Sequence, residues 1–311
     1  MNIYGGLLME IKNIAIVGMG ALGIMYGEHI QKRIGKEYVQ FVMDSQRYEV
    51  HKNDRYTVNG ELQDFNIVES RNAKQADLVI IATKSQGLNQ ALDVMEPLVG
   101  EHTVMMSVMN GITSEEIIAE RFGDRNLIYC VALGMDSMRE GTDVQYKSLG
   151  RIEAGILKEE QRPALQATAD FFGKMELAFH IKEDIKKALW GKLLMNVGIN
   201  QTCTVYEACY KEVLNTREYF DAMSGAMHEV MAVAQKEGVQ LTEEDYEAYV
   251  ALIKTLQPEG YPSMRQDAVA KRKSEVELFA GTVMKVAEKH GVDVPVNRFY
   301  YERIKEMEAA Y

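Results

Sequence analysis

Hydrophobic positions are spaced differently in the two halves of the chain. Up to about residue 182, short apolar runs alternate with helical stretches, which is typical of βαβ units around a parallel sheet. Runs such as 78–81 are apolar at every position, as in strands that are buried on both faces. The first predicted helix covers 21–34, and the predicted strands cover 14–17, 38–43, 77–82, 103–109, 127–133, 151–156 and 177–181.

From residue 183 onwards the pattern predicts helices alone. Apolar residues recur at helical spacing over 184–200, 215–237, 242–257, 264–290 and 297–309. Gly238 and Gly291 follow helix ends rich in Lys and Glu, where a glycine commonly ends a helix. The C-terminal part is therefore predicted to be all-α.

A glycine-rich turn directly follows the first predicted strand. Its pattern is G-x-G-x-x-G, and a predicted helix comes next. The first glycine permits a tight turn, the second lets the backbone approach a pyrophosphate, and the third lets helix and strand pack closely. Strand, helix and a later acidic residue all accompany the motif, so it predicts a dinucleotide site. The residues of this turn are Gly18, Met19, Gly20, Ala21, Leu22 and Gly23.

These patterns together predict an α/β fold. We expect a Rossmann-type doubly wound parallel sheet followed by an all-α C-terminal domain. The dinucleotide-binding Rossmann domain is predicted over 11–182, and an all-helical domain for substrate binding and dimerisation over 183–311. A length of 311 residues fits two domains at about 150 residues each.

An acidic residue, Asp44, follows the second predicted strand, 21 positions after Gly23. A carboxylate at this place can accept hydrogen bonds from both ribose hydroxyls of NAD, and it repels a 2′-phosphate. Arg47 lies nearby, however, and an arginine there can hold the phosphate of NADP. Asp44 thus favours NAD(H), with NADP(H) left open.

One predicted helix carries three polar residues at helical spacing. Lys192, Asn196 and Asn200 recur every four positions, so they share one face among apolar neighbours. Buried polar groups need partners, so the three either satisfy one another and the backbone or line a polar pocket. In a reductase of carbonyl compounds, an ammonium group can bind a carboxylate or protonate a developing alkoxide, and amides can orient the substrate.

Charge and cysteine content narrow the class of protein. The formal net charge is −11, which disfavours nucleic-acid binding because such proteins cluster Lys and Arg against phosphates. Cys130, Cys203 and Cys209 form no C-x-x-C pair, so neither a disulfide framework nor a metal site is expected. The sequence predicts buried free thiols instead.

The chain carries no recognisable targeting segment. It has no apolar run of about 18 residues that could cross a membrane. Residues 1–9 are too short for a signal peptide and lack a basic start; translation beginning at Met9 is an alternative. We therefore expect a cytoplasmic protein that has no membrane partner.

An ordered set of motifs from about residue 11 to 308 resembles the ketopantoate reductase (2-dehydropantoate 2-reductase) family. Each motif alone is weak, and their order along the chain makes the set specific. The motifs are G-x-G-A-L-G at 18–23, Ala82-Thr83-Lys84, Asn110-Gly111, Leu189-Trp190-x-Lys192-Leu193-x-x-Asn196-x-x-x-Asn200, Ser263-Met264-x-Gln266-Asp267, Glu275, and Gly291-Val292-x-Val294-Pro295-x-Asn297.

The resemblance implies NADPH-dependent reduction of 2-dehydropantoate to (R)-pantoate, on the path to pantothenate and coenzyme A. The long apolar helices of the C-terminal half, for their part, predict a homodimer. Lys192 would be the proton donor and would contact the substrate. The other implied substrate contacts are Asn196, Asn200, Asn110, Ser263, Met264, Arg265 and Gln266. The implied cofactor contacts beyond the glycine turn and Asp44 are Lys84, Asn110, Ser137 and Glu275.

The chain also departs from the family pattern. Gln201-Thr202-Cys203-Thr204 stands where the family usually has Pro-Leu-Thr-Ala, Tyr210 stands near a later substrate-binding asparagine, and Ala280-Gly281 replaces Asn-Gly. Asp44 replaces a phosphate-binding arginine. Two alternatives therefore stay open: a reductase or dehydrogenase of another branched 2-keto acid or 3-hydroxy acid, and a non-catalytic dinucleotide-sensing protein.

Overall fold

The computed structural model describes residues 9–311, so the expectations for residues 1–8 lie outside the described residues. The chain divides into two compact units. An N-terminal unit runs to Met109 and resumes over Thr113–Ile185, and a C-terminal unit comprises Asn110–Ile112 and Lys186–Tyr311. The sequence placed the boundary at 182/183, and the structure assigns the short segment Asn110–Ile112 to the second unit.

An eight-stranded sheet forms the core of the N-terminal unit. Its strand order is β12-β11-β8-β7-β6-β1-β2-β5, and every neighbouring pair is parallel except β8 with β11. Among the described residues, the strands of this unit are β1 (Ile14–Val17), β2 (Val39–Met43), β3 (Tyr56–Val58), β4 (Glu61–Gln63), β5 (Ile67–Glu69), β6 (Leu78–Ile81), β7 (Val104–Ser107), β8 (Leu127–Met135), β9 (Met138–Glu140), β10 (Asp143–Gln145), β11 (Leu149–Gly155) and β12 (Ala178–Ile181).

Five helices accompany this sheet. Every residue of β1, β6 and β7 is buried, because side chains on both faces of these strands are covered. Strand β1 pairs with β2 on one side and with β6 on the other, so the strand order reverses beside it. The helices are α1 (Ala21–Ile34), α2 (Ser45–His51), α3 (Leu88–Met95), α4 (Ser114–Phe122) and α5 (Arg162–Lys174).

A second, four-stranded sheet of order β4-β3-β10-β9 was not predicted from the sequence. Each of its strands is three residues long, with sequences such as ELQ and MRE. Such segments are too short and too polar for an alternating pattern to emerge. Only pairing in the folded unit identifies them as strands.

The C-terminal unit, all of it described, contains helices and no strand. Its core includes Trp190, Val230, Phe279 and Tyr300. Gly238 and Gly291 adopt positive φ at helix ends, as predicted. The α-helices are α6 (Ile185–Met195), α7 (Gln201–Val205), α8 (Tyr210–Asn215), α9 (Arg217–Lys236), α10 (Glu243–Lys254), α11 (Ser263–Val269), α12 (Thr282–His290) and α13 (Pro295–Ala309).

The prediction of one helix over 264–290 is wrong. Helix α11 ends at Val269, and Lys271 has positive φ. Ser274 then donates hydrogen bonds from its backbone nitrogen and its hydroxyl to Glu308 on α13. A π-helical turn, Glu277–Gly281, follows and leads into α12. The backbone nitrogens of Lys271 and Arg272 donate to the carbonyl oxygens of Ala268 and Asp267, a pattern of hydrogen bonds that ends a helix.

The two units together confirm the predicted fold class, a Rossmann-type sheet followed by an all-helical part. Within residues 9–311, helices that combine the length and the apolar character needed to cross a membrane are absent.

Candidate functional site

The glycine turn after β1 has three glycines with different physical roles. Gly18 has φ +110°, and a Cβ there would lie 2.6 Å from the carbonyl oxygen of Ala82. A Cβ at Gly23 would lie 1.9 Å from the carbonyl oxygen of Gly18. Both glycines are therefore required by the fold itself.

Gly20 differs, because a Cβ there would meet only the oxygen of Ala82, at 3.6 Å, which is an ordinary contact. Helix α1 starts at the next residue and carries no acidic residue in its first turn. Free backbone N–H groups and the positive end of the helix dipole suit a phosphate. The turn therefore fits a dinucleotide, and the open space beside Gly20 is where a pyrophosphate would approach.

Asp44 lies at the end of β2 and is held by two hydrogen bonds. Its Oδ1 accepts from the backbone nitrogen of Arg47 at 2.9 Å and thereby caps α2. Its Oδ2 accepts from the Nε2 of Gln90, on α3, at 3.0 Å. Asp44 is half-buried, whereas the side chain of Arg47 is exposed. The carboxylate is thus oriented by the protein rather than freely solvated.

The other cofactor residues suggested by resemblance lie on loops of the same unit. Lys84 is exposed and precedes a short 3-10 turn, Ser85–Gly87. Ser137 is half-buried between β8 and β9. The sequence did not single out Arg139 in β9, whose guanidinium donates to the carbonyl oxygen of Met19 in the glycine turn. No local pattern could have found this contact, since 120 positions separate the two residues.

In the C-terminal unit, Lys192, Asn196 and Asn200 lie on successive turns of one helical segment. Lys192 is in the last turn of α6, and both asparagines belong to a π-helical turn, Asn196–Asn200. The three residues are 8%, 6% and 6% exposed. This segment therefore carries an ammonium group and two amides that are all largely buried.

Polar side chains that follow the π-helical turn compensate its altered backbone pairing. Gln201, Thr202 and Thr204 donate to the carbonyl oxygens of Val197, Gly198 and Asn200, respectively. A π turn shifts the backbone pattern by one residue, and such turns are frequent at functional sites. Part of the departure from the family pattern at 201–204 therefore has a structural role.

Glycines on another face set how closely this segment packs. A Cβ at Gly191 would lie 2.1 Å from the hydroxyl of Tyr249, and one at Gly198 would lie 2.6 Å from the Cγ of Met227. Helices α10 and α9 can thus approach the segment closely. This packing fixes the rotation of the segment and hence the direction of its polar residues.

Two further departures from the family pattern contact each other. The Oε1 of Gln201 accepts a hydrogen bond from the backbone nitrogen of Ala280 at 3.1 Å, inside the helical core. Both residues are completely buried. They stabilise the packing of two π-helical turns, Asn196–Asn200 and Glu277–Gly281, against each other.

Asn110 and Glu275 come together in the C-terminal unit. The Nδ2 of Asn110 donates to Oε2 of Glu275 at 2.9 Å. The neighbouring Gly111 has φ +94°, and a Cβ added there would lie 3.4 Å from the side chain of Leu278. Glu275 does not sit on a charged helix face, because the chain is non-helical between α11 and the following π turn. The bonds from Ser274 to Glu308 hold this segment in place.

The stretch from Ser263 to Gln266 forms the start of α11. Ser263 is exposed and is the first residue of the helix; Pro262, not Ser263, occupies the N-cap position. Met264 packs in the helical core, while Arg265 forms an ion pair with Glu207 at 3.1 Å. Gln266 donates weakly to the carbonyl oxygen of Tyr261. Of these residues, Ser263 is exposed and Gln266 half-exposed, whereas the side chain of Met264 faces inward.

Tyr210 begins α8 and is tied to the loop that precedes α11. Its backbone nitrogen donates to the carbonyl oxygen of Gly260 at 3.0 Å, and a Cβ at that glycine would lie 3.5 Å from the Tyr210 ring. The side chain is half-buried, and desolvation raises the pKa of its hydroxyl far above the usual value. The Tyr210 hydroxyl is therefore neutral.

The three cysteines form no disulfide; Cys130 and Cys203 are buried and Cys209 is partly exposed. Burial raises the pKa of the Cys203 thiol, so it remains protonated. Across the described part of the chain, His, Cys, Asp and Glu side chains do not assemble into groups of three or more able to hold a metal ion.

Comparisons with known proteins match most of the chain. The profile of ketopantoate reductase PanE/ApbA matches residues 14–159, and the profile of its C-terminal part matches residues 184–308. The 2-dehydropantoate 2-reductase of Streptococcus pyogenes is 25% identical over an alignment of 301 positions, which covers 95% of this chain and 98% of that protein.

Two solved structures share the fold. The ternary structure of D-mandelate dehydrogenase with NADH and anilino(oxo)acetate has a TM-score of 0.85 at 24% identity, covering 96% of this chain and 98% of that one. A dimeric ketopantoate reductase from Staphylococcus aureus has a TM-score of 0.79 at 20% identity, covering 96% and 99%.

Proposed function

Because this chain belongs to the ketopantoate reductase family, we propose that it catalyses the nicotinamide-dependent reduction of 2-dehydropantoate to (R)-pantoate, towards pantothenate and coenzyme A. The observation that carries the proposal is the buried set Lys192, Asn196 and Asn200. An ammonium group can bind a carboxylate or protonate a developing alkoxide, and amides can orient a ketone by hydrogen bonds. An anionic keto acid offers a carboxylate, a ketone oxygen and a hydroxyl to such a set.

Lys192 acts as the general acid in this proposal. When bound, the cofactor supplies a hydride to C2 of the ketone. The Nζ of Lys192 donates a proton to the ketone oxygen as negative charge develops there, which gives the 2-hydroxy acid, and the amine then regains a proton from water. Before reaction, the same ammonium group attracts the substrate carboxylate.

Asn196 and Asn200 orient the keto acid by hydrogen bonds from their amides. Asn110 is the third amide, and Glu275 holds it through the 2.9 Å hydrogen bond. Fixed amides hold a ketone in one orientation, and this lowers the barrier because less freedom is lost during reaction. Ser263, Arg265 and Gln266 complete the proposed substrate contacts.

We assign the cofactor to the glycine turn, with Asp44 favouring NADH over NADPH. The supporting observation is the oriented carboxylate at the end of β2. It accepts ribose hydroxyls and repels a 2′-phosphate. Lys84, Ser137 and the backbone of Met19, Ala21 and Leu22 are the remaining proposed cofactor contacts in this unit.

A second candidate substrate is another branched or aromatic 2-keto acid. Tyr210 near the place of a family amide favours it, as does the likeness to a mandelate dehydrogenase.

We also propose that the protein is a homodimer, which the dimeric relative supports. Mass measurement in solution should give twice the mass of one chain if this is correct.

Steady-state kinetics with a panel of keto acids tests the proposal. We expect turnover of 2-dehydropantoate with NADH, with kcat/KM higher than for phenylglyoxylate and other 2-keto acids. Preference for another 2-keto acid would replace the substrate but keep the reaction class. Oxidation of 3-hydroxy acids alone would contradict the reaction, and absence of turnover despite cofactor binding would favour a sensing role.

A further inference from the structure

We propose that Gln90 is a positioning residue that holds Asp44 for the ribose of NADH and so sets the preference between the two nicotinamide cofactors. The inference rests on the cofactor class proposed above. Gln90 belongs to none of the sequence motifs, and it lies 46 positions from Asp44. Both residues belong to the N-terminal unit.

The backbone of α3 directs Gln90 towards Asp44. Leu88, Ala91 and Leu92 of this helix are buried in the apolar core beside the sheet. That packing leaves Gln90 on the outer side, where its Nε2 donates to Oδ2 of Asp44 at 3.0 Å. The amide is therefore anchored by a helix whose position the core determines.

The hydrogen-bonding capacity of Asp44 matches a ribose diol. An ionised carboxylate has about four acceptor positions, two on each oxygen. The backbone nitrogen of Arg47 occupies one on Oδ1, and Gln90 occupies one on Oδ2. One acceptor position thus remains on each oxygen, and the 2′- and 3′-hydroxyls supply two donors. Because each oxygen of Asp44 accepts one of these hydrogen bonds, the carboxylate plane has little freedom to rotate.

The neutral charge of Gln90 also affects the discrimination between NADH and NADPH. Gln90 is neutral, so it orients Asp44 without cancelling its negative charge. A Lys or Arg in its place would neutralise the carboxylate and attract a 2′-phosphate. A neutral amide therefore supports both attraction of the diol and repulsion of the phosphate.

Direct binding measurements on the full chain without any keto acid test this role. Dissociation constants for NADH and NADPH are measured calorimetrically for wild type, Gln90→Met, Asp44→Ala and the double variant. Gln90→Met keeps the side-chain length but removes the donor. Asn89→Ala, also exposed on α3, is the matched control, and thermal unfolding verifies that each variant folds.

We expect Gln90→Met to weaken NADH binding about fivefold to tenfold, as for loss of one charge-assisted hydrogen bond, and to change NADPH binding less than about twofold. In the Asp44→Ala background, the same substitution should have no further effect on NADH. Asn89→Ala should bind both cofactors like wild type.

Three results would overturn the role of Gln90: unchanged NADH binding by Gln90→Met, equal weakening of both cofactors, or an undiminished effect in the Asp44→Ala background. Wild-type preference for NADPH would also overturn it. If Gln90→Met unfolds, Gln90→Lys provides a second measurement. We expect this variant to bind NADPH more tightly than wild type does. An unchanged ratio of the NADH and NADPH dissociation constants would contradict the role of Gln90. Failure of keto-acid turnover is independent of these constants, so the two proposals fail separately.

Discussion

The amide of Asn110 donates a 2.9 Å hydrogen bond to Oε2 of Glu275, although 165 positions separate the two residues. The bond fixes which side of the amide presents its oxygen and which its nitrogen. An amide that can rotate positions a ketone less well, so the contact connects a loop segment to the rate of the proposed reaction.

Replacement of Glu275 should therefore lower turnover. We expect Glu275→Ala to reduce kcat about tenfold with a smaller change in KM for the keto acid, because the amide loses its acceptor. Glu275→Gln retains an acceptor oxygen and should recover part of kcat. Glu277→Gln, an exposed neighbour that pairs with Tyr301, is the control. Wild-type kinetics of Glu275→Ala would refute the positioning role.

Lys192 should be essential for chemistry and dispensable for cofactor binding. Lys192→Met removes the proposed proton donor while retaining an apolar stem, and we expect kcat to fall by about 100-fold or more. NADH binding, measured by fluorescence, should change little. The control is Lys186→Met, an exposed lysine on the same helix. If Lys192→Met turned over keto acid at the wild-type rate, another group would have to be the acid.

Two glycines of one turn should respond differently to alanine. In Gly20→Ala the new Cβ has ordinary contacts, so the melting temperature should stay near wild type while dinucleotide binding is lost. In Gly23→Ala the Cβ would meet the oxygen of Gly18 at 1.9 Å, so stability should fall by about 2–4 kcal/mol. Thermal unfolding and calorimetric titration measure the two effects. Tight NADH binding by Gly20→Ala would contradict the placement of the pyrophosphate.

Glu115, at the start of α4, should make stability depend on pH. It is 1% exposed, and burial raises the pKa of its carboxyl from 4.5 to about 7, although the hydroxyl of Ser114 donates to it at 2.9 Å. Between pH 4.5 and 7 the folded chain binds more protons than the unfolded chain, so this group's contribution to the free energy of unfolding falls as pH rises.

The variant Glu115→Gln stays neutral at every pH and isolates this effect. Its stability relative to wild type should grow by about 3 kcal/mol as pH rises through this window and then level off. Denaturant unfolding at several pH values measures the difference. Glu116→Gln, an exposed neighbour, should show a much smaller trend. A difference that is independent of pH would show that folding does not raise the pKa of Glu115.

Much of the fold was predictable because its strands are buried on both faces. Apolar runs at 14–17 and 77–82 contain the observed β1 and β6, and the ordered motifs correctly identified the family. The small sheet and the break after Val269 were not predictable. The small sheet depends on pairing between strands, and the break depends on contacts with distant residues, such as the hydrogen bond from Ser274 to Glu308. Neither feature produces a local hydrophobic period.

The assignments of site residues remain predictions, but the structure changes what supports them. The sequence supplied residue types and spacing, such as Lys192 with Asn196 and Asn200. The sequence did not indicate a role for Gln90 or Arg139. A polar residue such as Gln or Arg is expected to be solvated unless its hydrogen-bond partner is known, and these partners are distant in sequence. Met264, by contrast, proves to be a core residue.

By itself, the sequence determined local features: the apolar runs of the buried strands, the glycines that the turn after β1 requires, and the spacing of Lys192, Asn196 and Asn200 along one helical segment. The tertiary structure decided which distant groups meet, including Asn110 with Glu275 and Gln90 with Asp44. The physical reason is the distance along the chain over which each kind of interaction acts. Backbone preference and hydrophobic period act over a few residues, whereas hydrogen bonds between side chains far apart in sequence form only after packing has brought their elements together.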